Sequence, residues 1–75
     1  MKNCAASEIE NDYFIAINHE MSKTSYISFI AYVGYDRVLL VKLYPEQSAE
    51  ARFTKMHGGK LFVYSTRDGL WGKKI

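Results

Sequence analysis

A chain of 75 residues makes one domain with no room for a second core, and at this size only about 60% of the unfolded surface is buried, so a metal, a disulfide or a partner is the usual supplement. Hydrophobic content of 48% against 24% charged residues excludes a disordered chain, and a net charge of +2 is too small to imply a nucleic acid or a membrane as partner. A single cysteine, Cys4, excludes an internal disulfide, and the longest mostly apolar run, residues 26–33, is far too short to span a bilayer, which together make the cytoplasm the expected location.

Along the chain, period-2 alternation recurs and helical periodicity is almost absent. Residues 1–7 read as a flexible leader and 8–75 as the folded domain. In Tyr13-Phe14-Ile15-Ala16-Ile17-Asn18, the side chains of Tyr13, Ile15 and Ile17 share one face. Residues 20–24 are the only stretch that could make a helical turn. The run Tyr26-Ile27-Ser28-Phe29-Ile30-Ala31-Tyr32-Val33 is apolar on both faces, as a central strand would be. Gly34-Tyr35-Asp36 then turns it into a strand over residues 37–44, so the two are expected to form a hairpin. Pro45 ends that strand because it cannot donate to the ladder. A strand over 49–54, a turn at Gly58-Gly59 and a last strand over 60–65 follow. Short strands with turn signals every eight to twelve residues predict an all-β sandwich or small barrel, in which an exposed edge strand invites pairing with another copy.

Three blocks carry more specific information. The heptad Ser65-Thr66-Arg67-Asp68-Gly69-Leu70-Trp71 is similar to a Cys-Asn-x-His-Gly-Leu-Trp signature. Asn18-His19-Glu20-Met21 with Ser25-Tyr26-Ile27 looks like a His-Pro-Met...His-x-Ile block. The third block runs from Val41-Lys42-Leu43-Tyr44-Pro45-Glu46 to Ala49-Glu50-Ala51-Arg52-Phe53, and is similar to Leu-x-Pro-Gly...Glu-Ala-x-Phe. In this order and spacing the blocks resemble the iron-binding domain of desulfoferrodoxins and superoxide reductases. A closer similarity is to the desulfoferrodoxin-like C-terminal domains of helix-turn-helix regulators from anaerobic clostridia. The resemblance implies an immunoglobulin-like β-sandwich of about six to seven short antiparallel strands. It also implies a ferrous ion held by four imidazoles and an axial thiolate, which passes one electron to superoxide.

Carried over position by position, the resemblance leaves little of that site. His19 is the one ligand kept. Ser25 stands at the second histidine position, Ser65 at the cysteine and Asp68 at the fourth place. The family's Glu-Lys-His segment would fall before Met1. A serine hydroxyl is not ionised at neutral pH and cannot replace a thiolate donor, and metal affinity depends on ligand number and preformed geometry. The expectation is therefore a vestigial site at His19, Ser25, Ser65 and Asp68, with no catalytic residue and no cofactor, and a His19–Asp68 pair across the old cavity. As an enzyme the chain would be a superoxide reductase, an activity that four missing ligands of five argue against.

The remaining candidates read as structural. His57 beside Gly58-Gly59 reads as an exposed turn residue and Cys4 as an inert leader thiol. Trp71 reads as packing beside the old metal loop, and Arg67 with Lys73 and Lys74 as a solvated basic tail. No nucleophile–base constellation, phosphate loop or Cys-x-x-Cys pair is visible. The function expected is a non-catalytic binding or self-assembly module, a homo-oligomer with a dimer favoured, open to an unidentified protein partner. The alternative is an iron-binding, superoxide reductase-like oxidoreductase whose metal site is altered or shared between subunits.

Overall fold

The computed structural model describes residues 4–56 and 58–74; His57, weighed above as a turn residue, lies outside them. Seven strands follow one another: β1 (Cys4–Ile9), β2 (Asp12–Ile17), β3 (Ile27–Val33), β4 (Val38–Lys42), β5 (Glu50–Thr54), β6 (Lys60–Ser65) and β7 (Gly69–Lys74). They form a three-stranded sheet in the order β1-β2-β5 and a four-stranded sheet in the order β4-β3-β6-β7. Every pairing is antiparallel. This is the all-β sandwich that the alternation predicts.

The core lies between the sheets, and alternation decides which side chains reach it. Ile15, Ile17, Ala51 and Phe53 point inward from one sheet, and Ile30, Tyr32, Leu61 and Val63 from the other. Tyr32 is fully buried, so its phenol needs partners. Its oxygen accepts the Met56 N–H at 3.1 Å and donates to the Gly58 carbonyl at 3.1 Å. Its ring meets Phe53 and Tyr13 at centroid distances of 5.7 and 5.9 Å. Gly59, at φ 140°, passes so close to this ring that a Cβ there would collide with it.

The hairpin expected at Gly34 is present: the Gly34 N–H donates to the Arg37 carbonyl at 2.8 Å, and Val33 faces Val38. Four expectations are corrected. Residues 4–7 belong to β1, where backbone pairing with β2 from Cys4↔Ile17 to Ile9↔Asp12 orders a segment too short in apolar side chains to read as strand. Residues 20–24 make no helical turn; the loop bends over residues 22–25. The fourth strand stops at Lys42: Leu43 still donates in register to the Ser28 carbonyl, but Tyr44 turns its N–H to Gln47 Oε1 as the chain leaves for Pro45. Residues 69–74 are the edge strand β7 rather than a tail, since the β6 ladder captures their backbone. Lys73 and Lys74 therefore alternate across a strand, and Arg67 sits in the turn before it.

Candidate functional site

The site forms where two connections meet at one end of the sandwich. One is the loop from β2 to β3, residues 18–26; the other is the β6–β7 turn, residues 66–68. Two reciprocal bonds at 3.0 Å hold them together: Tyr26 N–H to Thr66 Oγ1, and Thr66 N–H to the Tyr26 carbonyl. Within the loop, Ser22 Oγ accepts the Ser25 N–H at 3.2 Å and donates to Glu20 Oε2 at 2.7 Å. The Ser22 N–H reaches the Ser25 carbonyl at 2.9 Å. Met21 ties the loop to the body: its carbonyl accepts the Glu46 N–H at 2.6 Å, and its sulfur accepts the Ile27 N–H at 3.3 Å.

The β6–β7 turn is organised by one hydroxyl. Ser65 is fully buried at the end of β6, and its Oγ accepts the N–H groups of Asp68 at 3.0 Å and Arg67 at 3.2 Å. A serine side chain closing onto the backbone two and three residues ahead is a common way to order such a turn. The same oxygen lies 3.1 Å from His19 Nε2.

The protonation pattern of His19 follows from its neighbours. Its Nδ1 lies 2.6 Å from the Glu20 carbonyl, which can only accept, so Nδ1 carries a hydrogen. In the neutral ring Nε2 is then the acceptor and takes the Ser65 hydroxyl hydrogen. In the imidazolium, Nε2 donates to Asp68 Oδ2, 3.3 Å away. The His19 side chain is 7% exposed and the Asp68 carboxylate 53%, so the cluster has a buried base and an open acid. Arg67 closes a ring of charges, with Nε 3.4 Å from Asp68 Oδ1 and Nη1 3.6 Å from Glu20 Oε1. The Arg67 hydrogen bond, followed by that of His19, holds the Asp68 carboxyl below the usual 3.8.

The structure thus brings His19, Ser65 and Asp68 into one cluster. It leaves Ser25 out. Ser25 is 8% exposed, and its Oγ has no hydrogen-bond partner among the described residues. The sequence reading missed Glu20, Thr66 and Arg67, whose only signal was nearness to the signature positions. It also missed that Ser65 and His19 make a nucleophile–base contact. That contact is not a hydrolytic site. A nucleophile must reach substrate, and Ser65 has no exposed surface and spends its oxygen on two backbone donors. Trp71 packs against the core cluster, as expected, on a strand position opposite Val63.

Among the described residues, no group of three or more His, Cys, Asp or Glu side chains is placed to hold a metal ion. Of the possible donors in this cluster, His19 offers only Nε2, Ser65 is a neutral hydroxyl already engaged, and Asp68 is bound to Arg67. This donor set does not fit a ferrous ion, which needs several imidazole or thiolate donors in preformed geometry.

No family model matches the chain. It has the fold of the superoxide reductases: it superposes on the enzyme from Treponema pallidum with a TM-score of 0.80 at 14% identity, over 95% of this chain and 62% of that one. On the superoxide reductase from Nanoarchaeum equitans the TM-score is 0.51 at 17% identity, over 96% and 86%. In sequence it is a desulfoferrodoxin-like domain, similar to a desulfoferrodoxin of Clostridium acetobutylicum at 28% identity over 60 residues. That match takes in 80% of this chain and 48% of the relative, so the chain spans about half the length of the curated protein it matches.

Proposed function

We propose that this domain is a non-catalytic binding or self-assembly module, in which a hydrogen-bonded His19–Ser65–Asp68 cluster does the cohesive work of an iron centre. The observation that carries the reading is the saturation of Ser65. At the position where the resemblance calls for a thiolate ligand, a fully buried hydroxyl accepts two backbone N–H groups and faces His19 at 3.1 Å. The cluster joins the two connections that an ion would otherwise join. An edge strand gives the module a means of self-assembly. β1 flanks only β2 and is exposed on both faces from Ala5 to Ile9, and an open edge of this kind pairs readily with another copy. A two-fold β1–β1 contact would give a dimer with one continuous sheet.

The second reading is an altered, subunit-shared iron site. It is favoured by the 3.3 Å approach of His19 Nε2 to the half-exposed Asp68 carboxylate, two donors to which another subunit would have to add. Elemental analysis of protein expressed and purified with ferrous iron under anaerobic conditions separates the two. We expect folded protein with far less than stoichiometric iron and no superoxide-reducing activity. Stoichiometric iron, lost on His19→Ala, would overturn the first reading. Sedimentation velocity tests the dimer, which is expected to dissociate when a proline replaces Ala6 in β1.

A further inference from the structure

The four-stranded sheet has an outer face that the core does not explain. On each strand the residues between the inward ones point outward: Val38, Leu40 and Lys42 on β4; Phe29, Ala31 and Val33 on β3; Lys60, Phe62 and Tyr64 on β6; Leu70, Gly72 and Lys74 on β7. The registers set them in cross-strand rows. Lys42, Phe29, Tyr64 and Leu70 make one row, and Leu40, Ala31, Phe62 and Gly72 the next. Val38, Leu40 and Leu70 are 60%, 56% and 60% exposed. The aromatic centre is already ordered. Phe29 and Tyr64 stack at 5.8 Å with planes 8° apart, and a Cβ on Gly72 would press on the Phe62 ring at 3.1 Å. Contiguous exposed apolar surface of this kind marks an interaction site.

Charge identifies the occupant. Lys42, Lys60 and Lys74 are exposed among these apolar residues, and none of the outward strand positions is a carboxylate. No ion pair ties these three lysines to an acid among the described residues. The outer face of the other sheet differs, with Asp12 and Glu50 beside Arg52 and an Asp12–Arg52 pair at 2.7 Å. A second copy stacked on the four-stranded face would set lysines against lysines, which like-charge repulsion opposes. Single-stranded nucleic acid would use the aromatic rings and the lysines, but it leaves Val38, Leu40 and Leu70 without a role.

We infer that the outer face of the β4-β3-β6-β7 sheet docks a short acidic, apolar segment of another protein, with aliphatic or aromatic anchors on the Phe29–Phe62–Tyr64 platform and carboxylates on Lys42, Lys60 and Lys74. The inference rests on the domain being a binding module, but it uses the outer face of the sheet that does not contain the β1 edge. Iron analysis tests that reading; the following titration tests this one.

Isotope-labelled full-length protein is titrated with a synthetic peptide in which Glu alternates with Leu and Phe, with the same peptide carrying Lys in place of Glu, and with oligothymidylate. The acidic peptide should shift amides of β3, β4, β6 and β7, and should bind several-fold more weakly as salt rises from about 0.05 to about 0.5 M. Leu40→Ser with Leu70→Ser should lower its affinity at least about tenfold while the melting temperature stays unchanged, and Lys42→Glu with Lys60→Glu should reverse the preference toward the basic peptide. The inference is overturned if the acidic peptide causes no shifts or shifts only elsewhere, if the acidic and basic peptides bind alike, or if oligothymidylate binds more tightly. It is equally overturned if the face proves to be a contact between copies, seen as self-association abolished by Leu40→Ser.

Discussion

At the scale of single residues, Ser65 and Ser25 are both buried but play different structural parts. Ser65 is an acceptor that its surroundings require. Replacing it with alanine strips the Arg67 and Asp68 N–H groups of their acceptor and removes the hydroxyl from His19, and losing a buried hydrogen-bonding group costs about 1–3 kcal/mol. Chemical denaturation of Ser65→Ala should show an unfolding free energy lowered by that amount, with a smaller loss for Ser65→Cys, whose sulfur is a weak acceptor. Ser25 should behave in the opposite way, because its Oγ is buried without a partner. Ser25→Ala should leave stability unchanged or raise it, since the orphan hydroxyl already carries its desolvation cost. Asp68 has a pH signature. Its carboxyl is held below 3.8, by Arg67 first and His19 second. A carboxylate depressed on folding adds stability that is fully present above its unfolded pKa and is lost as pH falls through the folded one. Acid titration of the folded state should therefore show a loss beginning below about pH 4, and Asp68→Asn should remove that component without altering stability at neutral pH by more than the small worth of an exposed pair.

At the scale of elements, the sequence exposed faces better than partners. β3, β4 and β6 were legible because they are short, nearly continuous apolar runs that glycines or a proline punctuate. β1 and β7 were not. Apart from Ile9, Leu70 and Trp71 their residues are small, polar or charged, so much of the ordering comes from backbone hydrogen bonds to β2 and β6, which leave no mark in side-chain pattern. The pairings of β2 with β5 and of β3 with β6 were equally hidden, because alternation assigns a side chain to a face and not to a neighbour. The site was half legible for a related reason. His19, Ser65 and Asp68 were marked by the resemblance, whereas Glu20, Thr66 and Arg67 join the cluster only because the β2–β3 loop folds onto the β6–β7 turn. The connections also show where the chain departs from ideal turns. Glu46 follows Pro45 and adopts φ 68°, in the place where the similar block has glycine. The second central residue of a proline-led turn of this type needs a positive φ, and a side chain there costs about 1–2 kcal/mol. Glu46→Gly should raise the unfolding free energy by up to about 1 kcal/mol once glycine's own entropy loss is counted, provided the residue 46 N–H keeps its bond to the Met21 carbonyl.

At the scale of the whole molecule, the two faces of the four-stranded sheet should respond oppositely to the same kind of substitution. A domain of 75 residues has about 4–11 kcal/mol of stability, at 0.05–0.15 kcal/mol per residue. Leu61 and Ile30 are fully buried on the inner face, and truncating such a residue to alanine costs about 2–5 kcal/mol. Each kilocalorie moves the melting point of a domain this small by about 4–8 °C, so Leu61→Ala should lower it by at least about 10 °C or leave the chain unfolded. Leu40 and Leu70 lie more than half exposed on the outer face of the same sheet. Their replacement by serine removes little contact from side chains already more than half in water and should leave the melting point within about 2 °C, as for a surface change. If the face docks a partner, these leucines serve binding and not folding. A melting point that fell as far for Leu40→Ser as for Leu61→Ala would make the outer face part of the core and remove the ground for a docking surface.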